Sequence, residues 1–108
     1  MLRNDYEVRY LPVFYEDLSQ AVIYIASKLK NPKAAQNLLN AVETAILERL
    51  PMAESFEQYH SQRDRKHPYY RIYVGNYVVY YVVIEEEQTK IMEVRRLLYK
   101  GRRRDRVL

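Results

Sequence analysis

The side chains of this sequence that could do chemistry are bases and tyrosines in its second half. Three arginines suit a phosphate ligand, because a guanidinium donates two parallel hydrogen bonds to an oxyanion. They are Arg71 and, later in the chain, the consecutive pair Arg95 and Arg96. His67 suits proton transfer, since histidine has a reference pKa of about 6.5. Tyr99 stands beside a run of bases, where a phenol can stack on a nucleobase. These residue types in this pattern favour contact with RNA.

Charge is distributed unevenly along the chain of 108 residues. Residues 95–106 hold seven bases, Lys100, Arg102 and Arg103 among them, against one acid, a net charge of +6. Since the whole chain has a net charge of +4, the remaining residues sum to −2. A basic end on a mildly acidic body favours a polyanionic or acidic partner, although such a run can also be a solvated tail.

Composition excludes several other kinds of site. The absence of cysteine rules out a disulfide scaffold, a thiolate zinc site and a cysteine nucleophile. With only two glycines the chain has no glycine-rich phosphate loop. Glu57, His60, Asp64 and His67 have ligand-type side chains but no regular spacing, and exposed linker histidines explain them as well. We therefore expect neither a metal nor a cofactor.

The sequence shows no segment that would enter a membrane. Its longest uninterrupted apolar run, residues 77–84, is eight residues long, against about 20 for a membrane-spanning helix. The first residues, MLRND, contain no apolar signal region. We therefore expect a cytoplasmic protein without membrane contact.

The first half predicts a strand and a helical hairpin. Residues 1–11 contain the strand, and residues 13–51 form the hairpin, in which apolar residues recur at the spacing of one helical face. Glu16 and Asp17 are expected in the first turn of the first helix, where acids suit the macrodipole. Asn31 is expected to cap the second helix, with Pro32 at its first position.

The second half predicts a three-strand meander followed by a basic tail. The meander covers residues 69–98 and the tail residues 99–108. Gly75-Asn76 is a hairpin signal, and the apolar run 77–84 predicts a central strand with little solvent on either face. Arg95 and Arg96 should point to opposite faces, and a buried arginine needs an acid partner, for which Glu93 is a candidate.

These elements follow one another as β-α-α-β-β-β in a single domain of residues 1–108. The fold class is α+β, a small antiparallel-rich sheet with the two-helix hairpin packed on one face.

Three segments of the chain resemble a known family. They are residues 70–72 (YRI), 75–81 (GNYVVYY) and 94–103 (VRRLLYKGRR). The second is similar to the hairpin, and the third to the basic ending, of the RelE/ParE family, with Tyr99 at an aromatic or histidine position and Lys100 as an insertion. Chain length, element order and the leading Tyr-x-Val-x-Tyr strand also fit, so the resemblance covers nearly the whole chain.

The resemblance implies the toxin of a bacterial type II toxin–antitoxin, or plasmid stabilisation, system. An antitoxin protein would neutralise it, and operator DNA would be bound only through the toxin–antitoxin complex. RelE-like members cut mRNA on the ribosome, whereas ParE-like members poison DNA gyrase without catalysis. We expect the mRNA endoribonuclease, with the gyrase inhibitor as the alternative and an inactive, antitoxin-binding relative as a third possibility.

The resemblance also implies roles for individual residues. RNA cleavage by a 2′-hydroxyl needs proton transfer and stabilisation of the phosphate charge. We expect Arg71, Tyr99 and His67 to be catalytic. The residues expected to bind RNA phosphates are Arg95, Arg96, Lys100, Arg102 and Arg103. One departure is Val78, where relatives commonly have an arginine, and this departure favours the gyrase inhibitor.

Overall fold

A computed structural model describes residues 6–59, 66–101 and 108. Its strands are β1 (Tyr6–Tyr10), β2 (Gln58–Tyr59), β3 (Tyr69–Val74), β4 (Tyr77–Glu86) and β5 (Thr89–Tyr99). Its helices are α1 (Pro12–Ile23), which continues into a π-helical turn (Tyr24–Lys28), and α2 (Pro32–Arg49), which ends in a 3₁₀ turn (Leu50–Met52). Arg102 and Arg103, expected to bind phosphate, and His60 and Asp64 lie outside the described residues.

The five strands form one mixed sheet in the order β1-β5-β4-β3-β2. β1 runs parallel to β5, and every other neighbouring pair is antiparallel. This confirms the α+β class and the meander of β3, β4 and β5. The short strand β2 was not predicted, because two residues in a polar linker carry no periodic signal. β5 also extends one residue further than predicted and includes Tyr99.

Two local signals position the helices. Pro12 is the first residue of α1, where its missing N–H costs no hydrogen bond. The Asn31 side chain accepts a hydrogen bond from the Ala34 N–H at 3.1 Å, so the predicted cap of α2 is confirmed. The expectation for Glu16 and Asp17 was wrong: because α1 begins at Pro12, neither acid lies in its first turn.

Apolar residues cover both faces of the sheet. On the helix face, Ile72, Val79 and Tyr81 pack with Phe14 of α1 and Ile46 of α2. On the other side, which we call the far face, the buried cluster consists of Tyr69, Val78, Tyr80, Val82, Leu98 and Leu108. The prediction that the central strand has little solvent on either face is therefore confirmed.

The meander turns where the sequence indicated. Gly75 has a φ of +58°, the left-handed conformation that the hairpin signal requires. The second turn includes Glu87, whose φ is +55°. Among the described residues, no helix combines the length and the apolar character that a membrane crossing requires.

Candidate functional site

A β-bulge in β5 determines where the basic side chains point. Tyr80 is opposite Arg96 but the next residue, Tyr81, is opposite Val94, so Arg95 is an extra residue in β5. A bulge of this kind interrupts the alternation of side chains between the two faces. Glu93, opposite Val82, precedes the bulge on the far face, whereas Leu97 after it packs on the helix face.

Arg96 is paired with α1. Its Nε and Nη2 atoms donate to the two carboxylate oxygens of Asp17 at 2.7 and 2.9 Å, and the Leu97 N–H donates to the same carboxylate at 3.0 Å. Both side chains are largely buried, with exposed fractions of 18% and 9%. These hydrogen bonds raise the pKa of Arg96 further above its usual range. Arg96 is therefore a charged link between α1 and β5.

Arg95 lies on the far face in a second ion pair. Its Nε donates to Glu93 at 3.0 Å, as the sequence suggested, and its guanidinium carbon lies 5.9 Å from the centre of the Tyr69 ring. Glu93 is the buried charged residue of the described chain, and Arg9 of β1 approaches its other oxygen at 3.4 Å. Two arginines thus neutralise this acid.

Arg71 lies on the far face over aromatic rings. Its guanidinium carbon is 4.9 Å from the centre of the Tyr59 ring and 5.9 Å from that of Tyr73. The register Arg71–Tyr80–Arg96 places all three in one row across β3, β4 and β5. Strand order alone does not make Arg71 and Arg96 neighbours. The register, however, places their backbones two strand spacings apart, which is about 10 Å.

Tyr99 lies on the helix face, on the opposite side of the sheet from Arg71. It is opposite Tyr77, which packs with the helix-face cluster, and the two ring centres are 5.5 Å apart at an interplanar angle of 81°. Without the bulge, strict alternation from Glu93 would place Tyr99 on the far face. The extra residue in β5 thus separates Tyr99 from Arg71.

The remaining predicted site residues are dispersed. His67 is half-buried in the bend before β3, without a hydrogen bond to any described residue. Lys100 is exposed, and its N–H donates to the Asn76 carbonyl at 2.8 Å. No group of three or more potential metal ligands lies together in the described part of the chain.

The structure thus brings together Arg71 and Arg95, on the far face, but neither with Tyr99. Val78, where the resemblance led us to look for an arginine, is fully buried on the far face opposite Leu98. Sequence reasoning missed Asp17, which lies 79 positions from Arg96 and has no local signal. Tyr80 is fully buried on the far face, where it contacts Tyr59 and Tyr69 in a layer of aromatic rings.

The described chain is a small α+β protein with two helices on one face of a five-stranded mixed sheet. The family model described as "ParE toxin of type II toxin-antitoxin system, parDE" matches residues 8–103. The chain therefore belongs to this family, and it is a type II toxin with a cognate antitoxin as its partner. No curated protein matches it.

Proposed function

We propose that this toxin acts by binding its target, as a ParE-like inhibitor of DNA gyrase, and not by cutting mRNA. The observation that carries the proposal is the placement of Arg71 and Tyr99 on opposite faces of the sheet. The match to the ParE toxin family supports gyrase as the target.

Cleavage of RNA requires proton-transfer groups and charge-stabilising groups around one phosphate. A general acid or base must come within about 2.6–3.2 Å of the proton that it transfers. The Arg71 guanidinium and the Tyr99 phenol leave the sheet in opposite directions, so one phosphate does not reach both. His67 is the remaining candidate for proton transfer, and it has no hydrogen-bonding partner in the described chain to orient it.

The other bases expected to bind phosphate have partners within the protein. Asp17 neutralises Arg96, and Glu93 neutralises Arg95. An RNA phosphate would have to displace Asp17 from Arg96, at the cost of leaving that largely buried acid without its partner, and it would compete with Glu93 for Arg95. Val78 adds no charge where relatives commonly have arginine. These contacts support a structural role for the pair Arg95 and Arg96.

A second candidate function, the ribosome-dependent endoribonuclease, is favoured by one observation. Arg71 and Arg95 lie over the rings of Tyr59 and Tyr69, and a layer of aromatic rings under guanidinium groups suits unstacked RNA bases. The far face could therefore contact RNA through these groups. Whether RNA is cut decides between the two functions.

The test is to induce the protein in a bacterium that lacks the antitoxin, and to follow both mRNA and plasmid DNA. The proposal predicts growth arrest with loss of negative supercoiling in plasmids and no new 5′ ends within coding regions. His67→Gln, which removes a proton-transfer group but keeps a polar side chain, should arrest growth as the unaltered protein does. In-frame mRNA cuts that vanish when translation is blocked, and that fall about a hundredfold or more in His67→Gln, would refute the proposal.

A further inference from the structure

An apolar pocket opens at the end of the helical hairpin, away from the far-face arginines. We call it the hairpin-end pocket; its volume is about 550 Å³, and it is lined by Tyr24, Ile25, Leu29, Asn76, Tyr77 and Tyr99. This volume falls within the range of about 300–1,000 Å³ that is usual for ligand clefts. Both the α1–α2 connection and the β3–β4 turn contribute to it, so secondary structure on two sides holds its shape.

The rim of the hairpin-end pocket is apolar and exposed. Leu29, Tyr24 and Tyr99 have exposed fractions of 57%, 50% and 55%, and the adjacent Ile23 is 59% exposed. Single exposed apolar residues are ordinary, but a cluster around a concavity is typical of an interaction site. Burial raises the pKa of Tyr77, and Tyr99 adds to the effect, so this ring is neutral at physiological pH.

The backbone is irregular at the same place. The helix widens into a π-helical turn at Tyr24–Lys28. Such turns are rare overall, but where they occur they are often part of a functional site. Lys30 has a φ of +52°, a conformation that glycine or asparagine usually adopts at a helix end and that strains a lysine. The chain therefore tolerates backbone strain at Lys30, next to the exposed Leu29.

The described charges near the hairpin-end pocket have one sign. Lys28 and Lys30 flank Leu29 in sequence, and Lys100 follows Tyr99, whereas no acidic residue among those that the structure describes lines the pocket. In the described part of the chain none of these lysines forms an ion pair, in contrast to Arg95 and Arg96. Free cations around an apolar depression complement a segment with an apolar side chain between carboxylates.

We propose that the hairpin-end pocket is the surface that engages the target, by taking an apolar side chain of an acidic segment of gyrase. This inference rests on the proposed function, because it specifies how the same toxin contacts its target. Nucleic acid fits the surface less well. The Tyr77 and Tyr99 rings meet edge to face, so together they do not form an open, flat platform on which consecutive nucleobases could stack. The aliphatic side chains of Leu29 and Ile25 offer no stacking surface either.

The test measures binding of the toxin, released from its antitoxin complex, to immobilised gyrase holoenzyme. Leu29→Ala removes apolar area from the rim, and its matched control is Leu47→Ala on α2, where Leu47 is exposed by 49%. Lys28→Glu reverses the charge next to Leu29 in sequence, and its control is Lys66→Glu before β3. We expect about tenfold weaker binding for each pocket variant and less than a twofold change for each control. Circular dichroism verifies that all four variants are folded.

Each outcome bears on one of the two proposals. If the unaltered toxin does not bind gyrase, the proposed function fails and this inference fails with it. If the toxin binds gyrase but the pocket variants bind as well as the controls do, only the hairpin-end pocket is wrong as the target surface. Two further results would also overturn it while gyrase binding persists: sedimentation in which Leu29→Ala dissociates a toxin dimer, or a loss of RNA-oligonucleotide binding in Lys28→Glu.

Discussion

The ion pair between Arg96 and Asp17 gives a stability prediction whose size follows from its geometry. Asp17→Ala removes two hydrogen bonds to the guanidinium and one to the Leu97 N–H. Breaking a buried pair by deleting one partner costs about 3–5 kcal/mol. Because the Arg96 side chain keeps an exposed fraction of 18%, we expect the lower end, about 3 kcal/mol. This is a large part of the about 5–15 kcal/mol that stabilises a typical domain.

Urea unfolding of the purified protein measures this loss. A change of about 3 kcal/mol lowers the unfolding midpoint by roughly 1–3 M, without a change in slope. Glu16→Ala is the matched control, since Glu16 is an exposed acid next to Asp17 that forms no ion pair with any residue the structure describes. It should change the free energy of unfolding by less than about 0.5 kcal/mol. The double variant with Arg96→Ala should recover about 2 kcal/mol as a coupling energy.

A loss in Asp17→Ala no greater than that in Glu16→Ala would refute the reasoning. The charge of Arg96 would then not stabilise the fold through Asp17, and Arg96 would be free to bind the phosphate of a nucleic acid. The same result would remove one of the arguments for a toxin that acts by binding alone.

Three further predictions concern stability. Tyr81→Phe should cost about 1–3 kcal/mol, because the Tyr81 hydroxyl donates to the Ala53 carbonyl at 2.6 Å. Burial raises the pKa of Tyr81, so its contribution to the free energy of unfolding is complete below about pH 10 and is lost as pH rises further. Urea melts at about pH 8 and about pH 11 should therefore show a smaller difference in the free energy of unfolding between the unaltered protein and Tyr81→Phe at the higher pH. Glu93→Gln should lower the free energy of unfolding by about 2 kcal/mol in urea melts, since it leaves Arg95 without its acid, and an unchanged midpoint would contradict the buried pair. Gly75→Ala should cost about 1 kcal/mol through its positive φ alone, because an added Cβ meets no atom within 4 Å, and a stabilised variant would contradict that conformation.

The parts of the fold that could be predicted are those with local signals. Asn31-Pro32 and Gly75-Asn76 each specify a backbone geometry within a few residues, and both are found as expected. The apolar run of β4 likewise predicted a strand that is buried on both faces. Such features depend on neighbours in sequence, so one sequence contains the information to locate them.

The candidate site could be predicted only in part, because one residue of β5 changes its geometry. Up to Glu93 the alternation holds, and the pairing of Glu93 with Arg95 was a correct expectation. The bulge at Arg95 then reverses the alternation and moves Tyr99 to the helix face. No residue type in β5 predicts the bulge. Asp17, which binds Arg96, lies in a distant part of the sequence, so no local pattern could indicate the pair.

The most direct test of the central claim is DNA supercoiling by purified gyrase in the presence of the purified toxin, with and without its antitoxin. A toxin that acts by binding gyrase should inhibit supercoiling in proportion to its concentration, and equimolar antitoxin should restore it. Unchanged supercoiling by a folded toxin that arrests growth in cells would contradict the claim.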